Sequence, residues 1–476
     1  MDFDKSYTMT INGAGVAGAG TYPVLNPATE EIIAQAPDCS AAQLDEAIAA
    51  ARRAFPAWKA TPIEQRQKLV LAIAGSFIEH ATALGALLTR EQGKPLAEAR
   101  AEAMAPALWA QALAAMQLPV TVNEDSAELR SETHHVPLGV VGAISPWNFP
   151  VLLTMWKVLP ALVAGNTVVL KPSPHTPLTV LKIGEMLRGV LPPGVLNVVT
   201  GGDELGPWMT AHEDIDKITF TGSTPTGKKV LQSAAGNLKR VTLELGGNDP
   251  AIVLPDVNVD EIAPRLFWSA FKNSGQVCIA TKRMYVHKDI YDDVARALVA
   301  YARTVKVGNG ADEGTQLGPV QNRPQYERVK NLIEDAHAHG LRFLAGGEVP
   351  VGPGYFLPIS IVDNPPEDAR VVSEEAFGPV LPLLRYDDID EAVRRANDSP
   401  YGLGASVWSA DTDRALSVAV RLECGNVWIN DCQYLRPNAM FAGHKQSGIG
   451  VENGVEGLLE YTNPQTIVMR KSAAAR

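Results

Sequence analysis

The chain has 476 residues, 46% hydrophobic and 20% charged, which suits two or three compact units of roughly 150 residues and excludes a disordered chain. A net charge of -11, with Lys and Arg spread along the sequence, excludes the basic patch that a nucleic-acid surface needs. The four cysteines, Cys39, Cys278, Cys424 and Cys432, have neither the C-x-x-C spacing of a zinc site nor a disulfide framework. No metal is expected, and a reducing compartment fits.

The start, Met1-Asp2-Phe3-Asp4-Lys5, leads into no apolar run of the export type. Apolar runs such as residues 136–144 are too short to span a bilayer, so a cytoplasmic protein with no membrane partner is expected. Gly13-Ala14-Gly15-Val16-Ala17-Gly18 matches the dinucleotide fingerprint G-x-G-x-x-G, which works only between a strand and a helix. Pro23 and Pro27 follow too closely for that helix, so the segment reads as a turn between N-terminal strands. Ser40-Ala41-Ala42-Gln43 is a capping box opening a helix over residues 40–55, with Leu44, Ile48 and Ala51 on its buried face. Helices are expected over 63–91 and 95–116, then a polar, alternating, β-prone segment over 118–136. Strands at 140–144, 167–170 and 195–200, the last two separated by a helix at 176–190, predict a parallel sheet with right-handed crossovers. The second half repeats the pattern. Strands are expected at 242–245, 251–254 and 380–384, and helices at 257–273, 324–339 and 389–396. A β-branched run at 466–469 closes the chain; with 118–136 it either bridges to another subunit or forms a surface hairpin. The fold class is α/β.

Several short segments carry chemistry. Phe220-Thr221-Gly222-Ser223-Thr224-Pro225-Thr226-Gly227 lies at a strand-to-helix turn, where backbone N–H groups can meet a phosphate; a plain helix cap is the alternative. Glu244, in Leu243-Glu244-Leu245-Gly246-Gly247-Asn248, ends an apolar strand, where burial raises a carboxyl toward base catalysis unless a salt bridge pairs it. Asn273-Ser274-Gly275-Gln276-Val277-Cys278 puts a lone thiol after a small-residue loop; such a cysteine is more often an inert buried group. Glu374-Glu375-Ala376-Phe377-Gly378-Pro379-Val380 sets paired acids before a turn that could equally be surface loop.

Taken together, and with Pro146-Trp147-Asn148-Phe149-Pro150, Lys171-Pro172-Ser173 and Lys445-Gln446-Ser447-Gly448, these motifs resemble the aldehyde dehydrogenase superfamily in order and over nearly the whole chain. The resemblance implies an NAD- or NADP-dependent oxidation of an aldehyde to a carboxylic acid. It implies Cys278 as the nucleophile that forms a thiohemiacetal and then a thioester, Asn148 as an oxyanion donor beside the Cys278 N–H, and Glu244 as the base for deacylation. It also implies Lys171 at the adenosine ribose, Ser223 and Trp147 at the pyrophosphate, Glu375 at the nicotinamide ribose and Phe377 beside the ring. Gly222 and Gly227 would permit close backbone approach, and Ser173 and Ile144 complete the cofactor positions. The implied fold is a Rossmann-type cofactor domain over 1–115 and 138–245 and an α/β catalytic domain over 246–447. A small β bridging element over 116–137 and 460–476 would serve dimer or tetramer formation.

The chain departs from the family pattern in two places. NAD-preferring relatives carry a glutamate three residues after the lysine, where Pro174 stands here, followed by His175; no acid there bars NADP. In the expected substrate tunnel, Leu153 and Trp156 are apolar, but Lys272 replaces an aromatic, and Asp431-Cys432-Gln433-Tyr434-Leu435-Arg436 adds polar groups at the mouth. A polar or hydroxylated aldehyde, or a semialdehyde whose carboxylate meets Lys272 or Arg436, is expected. The competing readings are a cysteine-dependent esterase and a non-catalytic binding protein on the same scaffold. Relatives that make acyl-phosphate or acyl-coenzyme A are nearer, but often lack the Glu244-type base.

Overall fold

Five strands are buried over all or most of their length: Val140–Ile144, Thr167–Lys171, Leu196–Val198, Lys217–Thr221 and Arg240–Glu244. Strands of that kind are stable only between two covering layers, as in parallel sheets. They pair in parallel in the spatial order third, second, first, fourth, fifth. The computed structural model describes residues 2–471, so the expected bridging residues 472–476 lie outside the described part. Pro150–Ala164 and Leu178–Leu187 cross between the first three strands, both largely buried. The order reverses between Val140–Ile144 and Lys217–Thr221, and the crevice outside the carboxyl ends of strands at such a point is where sheets of this kind bind ligands.

A second, mostly parallel sheet follows. Its order is Phe343–Ala345, Ser360–Asp363, Val380–Tyr386, Thr281–His287, Asp249–Val253, Gly404–Trp408 and Asn426–Ile429; only the first pair is antiparallel. Glu244 ends a strand of the first sheet and Asp249 begins one of the second, so residues 245–248 join the two. The segments ahead of Thr281 and Val380 therefore meet the crevice of the first sheet.

The polar segment forms Thr121–Asp125 and Leu129–Pro137, which pair antiparallel with Thr462–Arg470 near the end of the chain. This three-stranded sheet stands away from the core, with Val122, Ile467, Val468 and Met469 exposed. At the other end, Met9–Ile11 and Ala14–Val16 form a hairpin that turns at Gly13, whose φ is +77°; Gly13 to Gly18 open no helix. The capping box at Ser40 is present, with Gln43 N donating to Ser40 Oγ at 3.2 Å and Ser40 N donating to Gln43 Oε1 at 3.2 Å.

Two expectations need correction. The first helix, Ala41–Ala60, runs on through Pro56 instead of stopping at residue 55. Ile63–Gln92 is long and apolar enough to cross a membrane by length and composition, which the apolar runs had not suggested. Within the fold it packs against Leu96–Ala114 and Pro150–Ala164 and ends in buried polar groups. Its Glu91, fully buried, accepts from Leu178 N and Thr179 N at 2.8 Å each, capping the helix Leu178–Leu187 from a distance in sequence.

Candidate active site

Cys278 follows a backbone that is left-handed at three residues in a row: Asn273 (φ +50°), Ser274 (φ +56°) and Gly275 (φ +74°). Only glycine adopts that region without strain, so the other two are held by surrounding bonds. Asn273 Nδ2 donates to Asn148 O at 3.1 Å, Ser274 Oγ to Gly318 O at 2.7 Å, and Gln276 Nε2 to Asn273 O at 2.8 Å. Gln276 Oε1 accepts from Gln321 N at 2.8 Å, tying the loop to a distant turn.

The thiol is the meeting point of two cavities. One, of about 300 Å³, is walled by Trp109, Phe149, Leu152, Leu153, Trp156, Leu435 and Phe441, with Glu244 and Glu452 also on its wall. The other, of about 130 Å³, is bounded by Trp147, Asn148, Gly222, Ser223, Glu375 and Phe377. Cys278, Leu153, Thr221 and Leu245 belong to both. Enclosure pushes the Cys278 thiol up to about 12; the Lys282 ammonium opposes this, whereas Asp249, Glu244 and Glu375 add to it.

The expected oxyanion donor lies beside the thiol loop. Asn148 Nδ2 donates to Gln276 O at 3.0 Å, two residues before Cys278. Its backbone carbonyl accepts from Lys94 Nζ at 2.9 Å. Lys94 is fully buried, 2.5 Å from Glu102 and 3.9 Å above the Phe149 ring, and Glu102 Oε1 accepts from Val151 N at 2.9 Å. Sequence reading missed Lys94 and Glu102 because buried lysines and glutamates run against the usual exposure of those residues.

Glu244 ends its strand 3% exposed, and neither of its carboxyl oxygens has a hydrogen-bond partner among the described residues. Burial drives its pKa well above the usual carboxylate range, Glu452 drives it further and Lys157 opposes. Lys157 and Glu452, also missed, form a buried ion pair at 2.5 Å. The salt-bridge alternative for Glu244 therefore fails, since the nearby lysine is paired with another acid.

The phosphate-turn expectation holds only in part. Gly222 N donates to Glu244 O at 3.0 Å, Gly227 N to Ser223 O at 2.9 Å and Thr226 N to Ser223 Oγ at 3.4 Å, so these N–H groups are engaged and Ser223 caps its own helix. Gly227 is not on the cavity wall. A Cβ there would lie 2.4 Å from Leu245 Cδ2, so this glycine lets the helix Thr224–Ala234 approach the strand end. Ile144 and Lys171 are paired neighbours at the ends of adjacent strands, with Ser173 two residues on; none lines the cavity at the thiol. Lys171 Nζ donates to Pro172 O at 3.3 Å, and burial lowers its pKa to about 8, opposed by Asp203.

Glu375 Oε1 accepts from Gly247 N at 3.1 Å and faces the smaller cavity. Phe377 has φ +50° and meets Trp147 edge to face at 5.4 Å. Gln325 and Arg328, one turn apart on the helix Arg323–Ala338, hold this loop by donating to Phe377 O at 3.1 Å and Glu375 O at 2.9 Å. The expected helix contained both, but its pattern alone did not say which face meets the site.

Leu153, Trp156 and Lys272 line the larger cavity as expected. Arg436 does not. It is exposed, lies over the ring of Tyr434, itself a wall residue, at 4.6 Å and bonds the Tyr434 hydroxyl.

A family model described as the aldehyde dehydrogenase family matches residues 16–467. A mitochondrial aldehyde dehydrogenase of Leishmania tarentolae is 40% identical over 468 residues, covering 96% of this chain and 94% of that one. A phenylacetaldehyde dehydrogenase of Pseudomonas fluorescens is 38% identical over 464 residues, 94% of this chain and 92% of its own. The NAD+ complex of an aldehyde dehydrogenase from Bacillus cereus superposes with a TM-score of 0.96 at 37% identity, covering 99% of this chain and 98% of that one. A reversed-order parallel sheet opening onto a half-buried thiol is thus the architecture of a known oxidoreductase class. The chain belongs to the aldehyde dehydrogenase family.

Gly275→Ala tests the thiol loop. The added Cβ would lie 2.2 Å from Gly378 O at a positive φ, so the loop must move. We expect iodoacetamide to alkylate Cys278 at least about tenfold more slowly or faster than in the native protein, with circular dichroism unchanged. An unaltered alkylation rate in the folded variant would show that the left-handed turn does not set the thiol.

Proposed function

We propose that this chain oxidises an aldehyde with an apolar body to its carboxylic acid, with NAD or NADP as acceptor, through a thiohemiacetal and then a thioester on Cys278. The observation that carries this reading is that Cys278 stands on the wall shared by a largely apolar cavity and a smaller cleft that holds Asn148, Ser223 and Glu375. The thiolate adds to the aldehyde carbon, and covalent capture makes the following step intramolecular. Asn148 Nδ2 and the Cys278 N–H are the donors for the oxyanion; a donor of this kind contributes roughly 3–4 kcal/mol. A bound nicotinamide would supply the hydride acceptor that conversion of the thiohemiacetal to a thioester requires. Glu244 then takes a proton from the water that attacks the thioester, and the Cys278 thiolate leaves with the acid formed.

The residues fit a nicotinamide dinucleotide. Lys171, partnered by a single carbonyl among the described residues, has donors left for ribose hydroxyls, with Ile144 and Ser173 beside it. Ser223 and Trp147 would hold the pyrophosphate where Gly222 lets the backbone come close, and Glu375 and Phe377 the nicotinamide end. At the adenosine end, burial lowers the His175 pKa, and Asp203 and Lys171 act on it in opposite senses. A neutral imidazole gives a 2'-phosphate little attraction, while Pro174 gives it no repulsion, so both cofactors are accepted.

The apolar wall of Trp109, Phe149, Trp156 and Phe441 favours an aromatic or branched body, in keeping with the phenylacetaldehyde-oxidising relative. This departs from the expectation of a polar or hydroxylated aldehyde. A second reading has one observation in its favour: Lys272 is the sole cationic side chain lining that cavity among the described residues. A carboxylate at the far end of the substrate would meet it there. The exposed apolar edge of Ile467, Val468 and Met469 supports dimers or tetramers built through the three-stranded sheet, and four free cysteines suit a reducing compartment such as the cytoplasm.

Reduced-nicotinamide absorbance with NAD and NADP, across aromatic, aliphatic and semialdehyde substrates, tests the reading. Turnover is expected with both cofactors and best with aromatic aldehydes, and Cys278→Ala should abolish it. Lys272→Ala should raise KM for semialdehydes severalfold and leave aromatic aldehydes unchanged. No reduction with any pair, alongside Cys278-dependent ester cleavage, would contradict the proposal.

Glu244 makes a separate prediction. A base must be deprotonated to work, and this carboxyl titrates above the usual carboxylate range, so acyl-enzyme breakdown should fall as pH drops through that raised pKa. Single-turnover deacylation in Glu244→Gln should be slow and flat over the same pH interval. A limb that survives unchanged in the variant would remove Glu244 from the step.

A further inference from the structure

Lys282 is the second residue of the strand Thr281–His287, four residues after Cys278, and its side chain is 5% exposed. Its ammonium donates to Cys278 O at 2.6 Å, to Val277 O at 3.0 Å and to Ala280 O at 3.4 Å. On its other side Glu375 Oε1 lies 3.6 Å away. A buried ammonium is costly unless its donors are satisfied, and here carbonyls of the thiol turn and one carboxylate do so. The same Glu375 oxygen accepts from Gly247 N. Gly247 also abuts the turn: a Cβ there would lie 2.9 Å from Cys278 O and 2.6 Å from Asp249 Oδ1.

We propose that Lys282 is a positioning residue that binds the carbonyl of Cys278 and the carboxylate of Glu375 into one unit and supplies the positive charge beside which the thiolate forms. This rests on the reading of Cys278 as nucleophile and Glu375 as cofactor ligand. The alternative is a structural plug that merely caps carbonyls. The charges facing the thiol come from four segments: Lys282 favours the thiolate, whereas Asp249, Glu244 and Glu375 oppose it. Removing Lys282 therefore leaves three carboxylates uncompensated, while a plug of equal shape would leave the thiol's titration alone.

The test is the iodoacetamide alkylation rate of Cys278 against pH in the full-length protein without cofactor or substrate, with Lys282→Met, Lys282→Arg and Glu375→Gln. Lys282→Met should move the profile upward by about one pH unit, an alkylation about tenfold slower on its rising limb. Lys282→Arg should restore most of the native profile, and Glu375→Gln should move it downward. A folded Lys282→Met with the native profile would overturn the proposal. If that variant does not fold, an unmoved profile in Glu375→Gln overturns it and a downward move supports it. Alkylation needs no turnover, so failure here is distinguishable from failure of the dehydrogenase reading: a shifted profile with no nicotinamide reduction rejects only the latter.

Discussion

The position of one thiol depends on a strained stretch of backbone. Asn273, Ser274 and Gly275 turn left-handed in succession, and two of them pay a steric penalty that glycine avoids. The turn survives because neighbouring groups over-determine it: Asn273 is tied to Asn148, Ser274 to Gly318, and Gln276 to Gln321. The ties reach two distant parts of the chain, the loop at Asn148 and the turn at residues 318–321, so the thiol loop is held between them.

The electrostatics around that loop follow one rule. Buried carboxyls and thiols resist ionisation, so every charge that works in such a site needs an opposite charge at close range. Lys94 meets Glu102, Lys157 meets Glu452, and Lys282 meets Glu375 together with the carbonyls of the thiol turn. Glu244 and Asp249 are the exceptions, each buried with neither oxygen bonded among the described residues, and of the two only Glu244 lies on the wall of the larger cavity. A carboxyl left in that condition has a raised pKa and unused acceptor capacity, which suits a group whose task is to accept a proton from water. The larger, mostly apolar cavity and the smaller cleft then meet at Cys278 with Glu244 on the wall of the former.

Much of this was legible in the order of residues. Apolar runs such as those in Val140–Ile144 and Thr167–Lys171 identify strands covered on both faces, and prolines at 23 and 27 disqualify the Gly13–Gly18 fingerprint. Cys278, Glu244, Asn148 and Glu375 emerged only when the motifs were taken together, because each alone has a bland explanation. What stayed hidden were the buried lysines, whose partners lie 8 to 295 residues away and leave no local pattern. The surroundings of Gly227 and Arg436 were hidden for the same reason. Whether a glycine faces a ligand or a leucine, and whether an arginine faces a cavity or a tyrosine ring, is set by tertiary packing.

The most direct test of the account is to trap the acyl group on the enzyme. Glu244→Gln should be mixed with NAD and an aromatic aldehyde, quenched in acid, digested and weighed by mass spectrometry. The account predicts one acyl mass, on the peptide that carries Cys278, formed together with about one equivalent of reduced nicotinamide. Reduced nicotinamide without an acyl-peptide, or an acyl group on Cys424 or Cys432 instead, would contradict it.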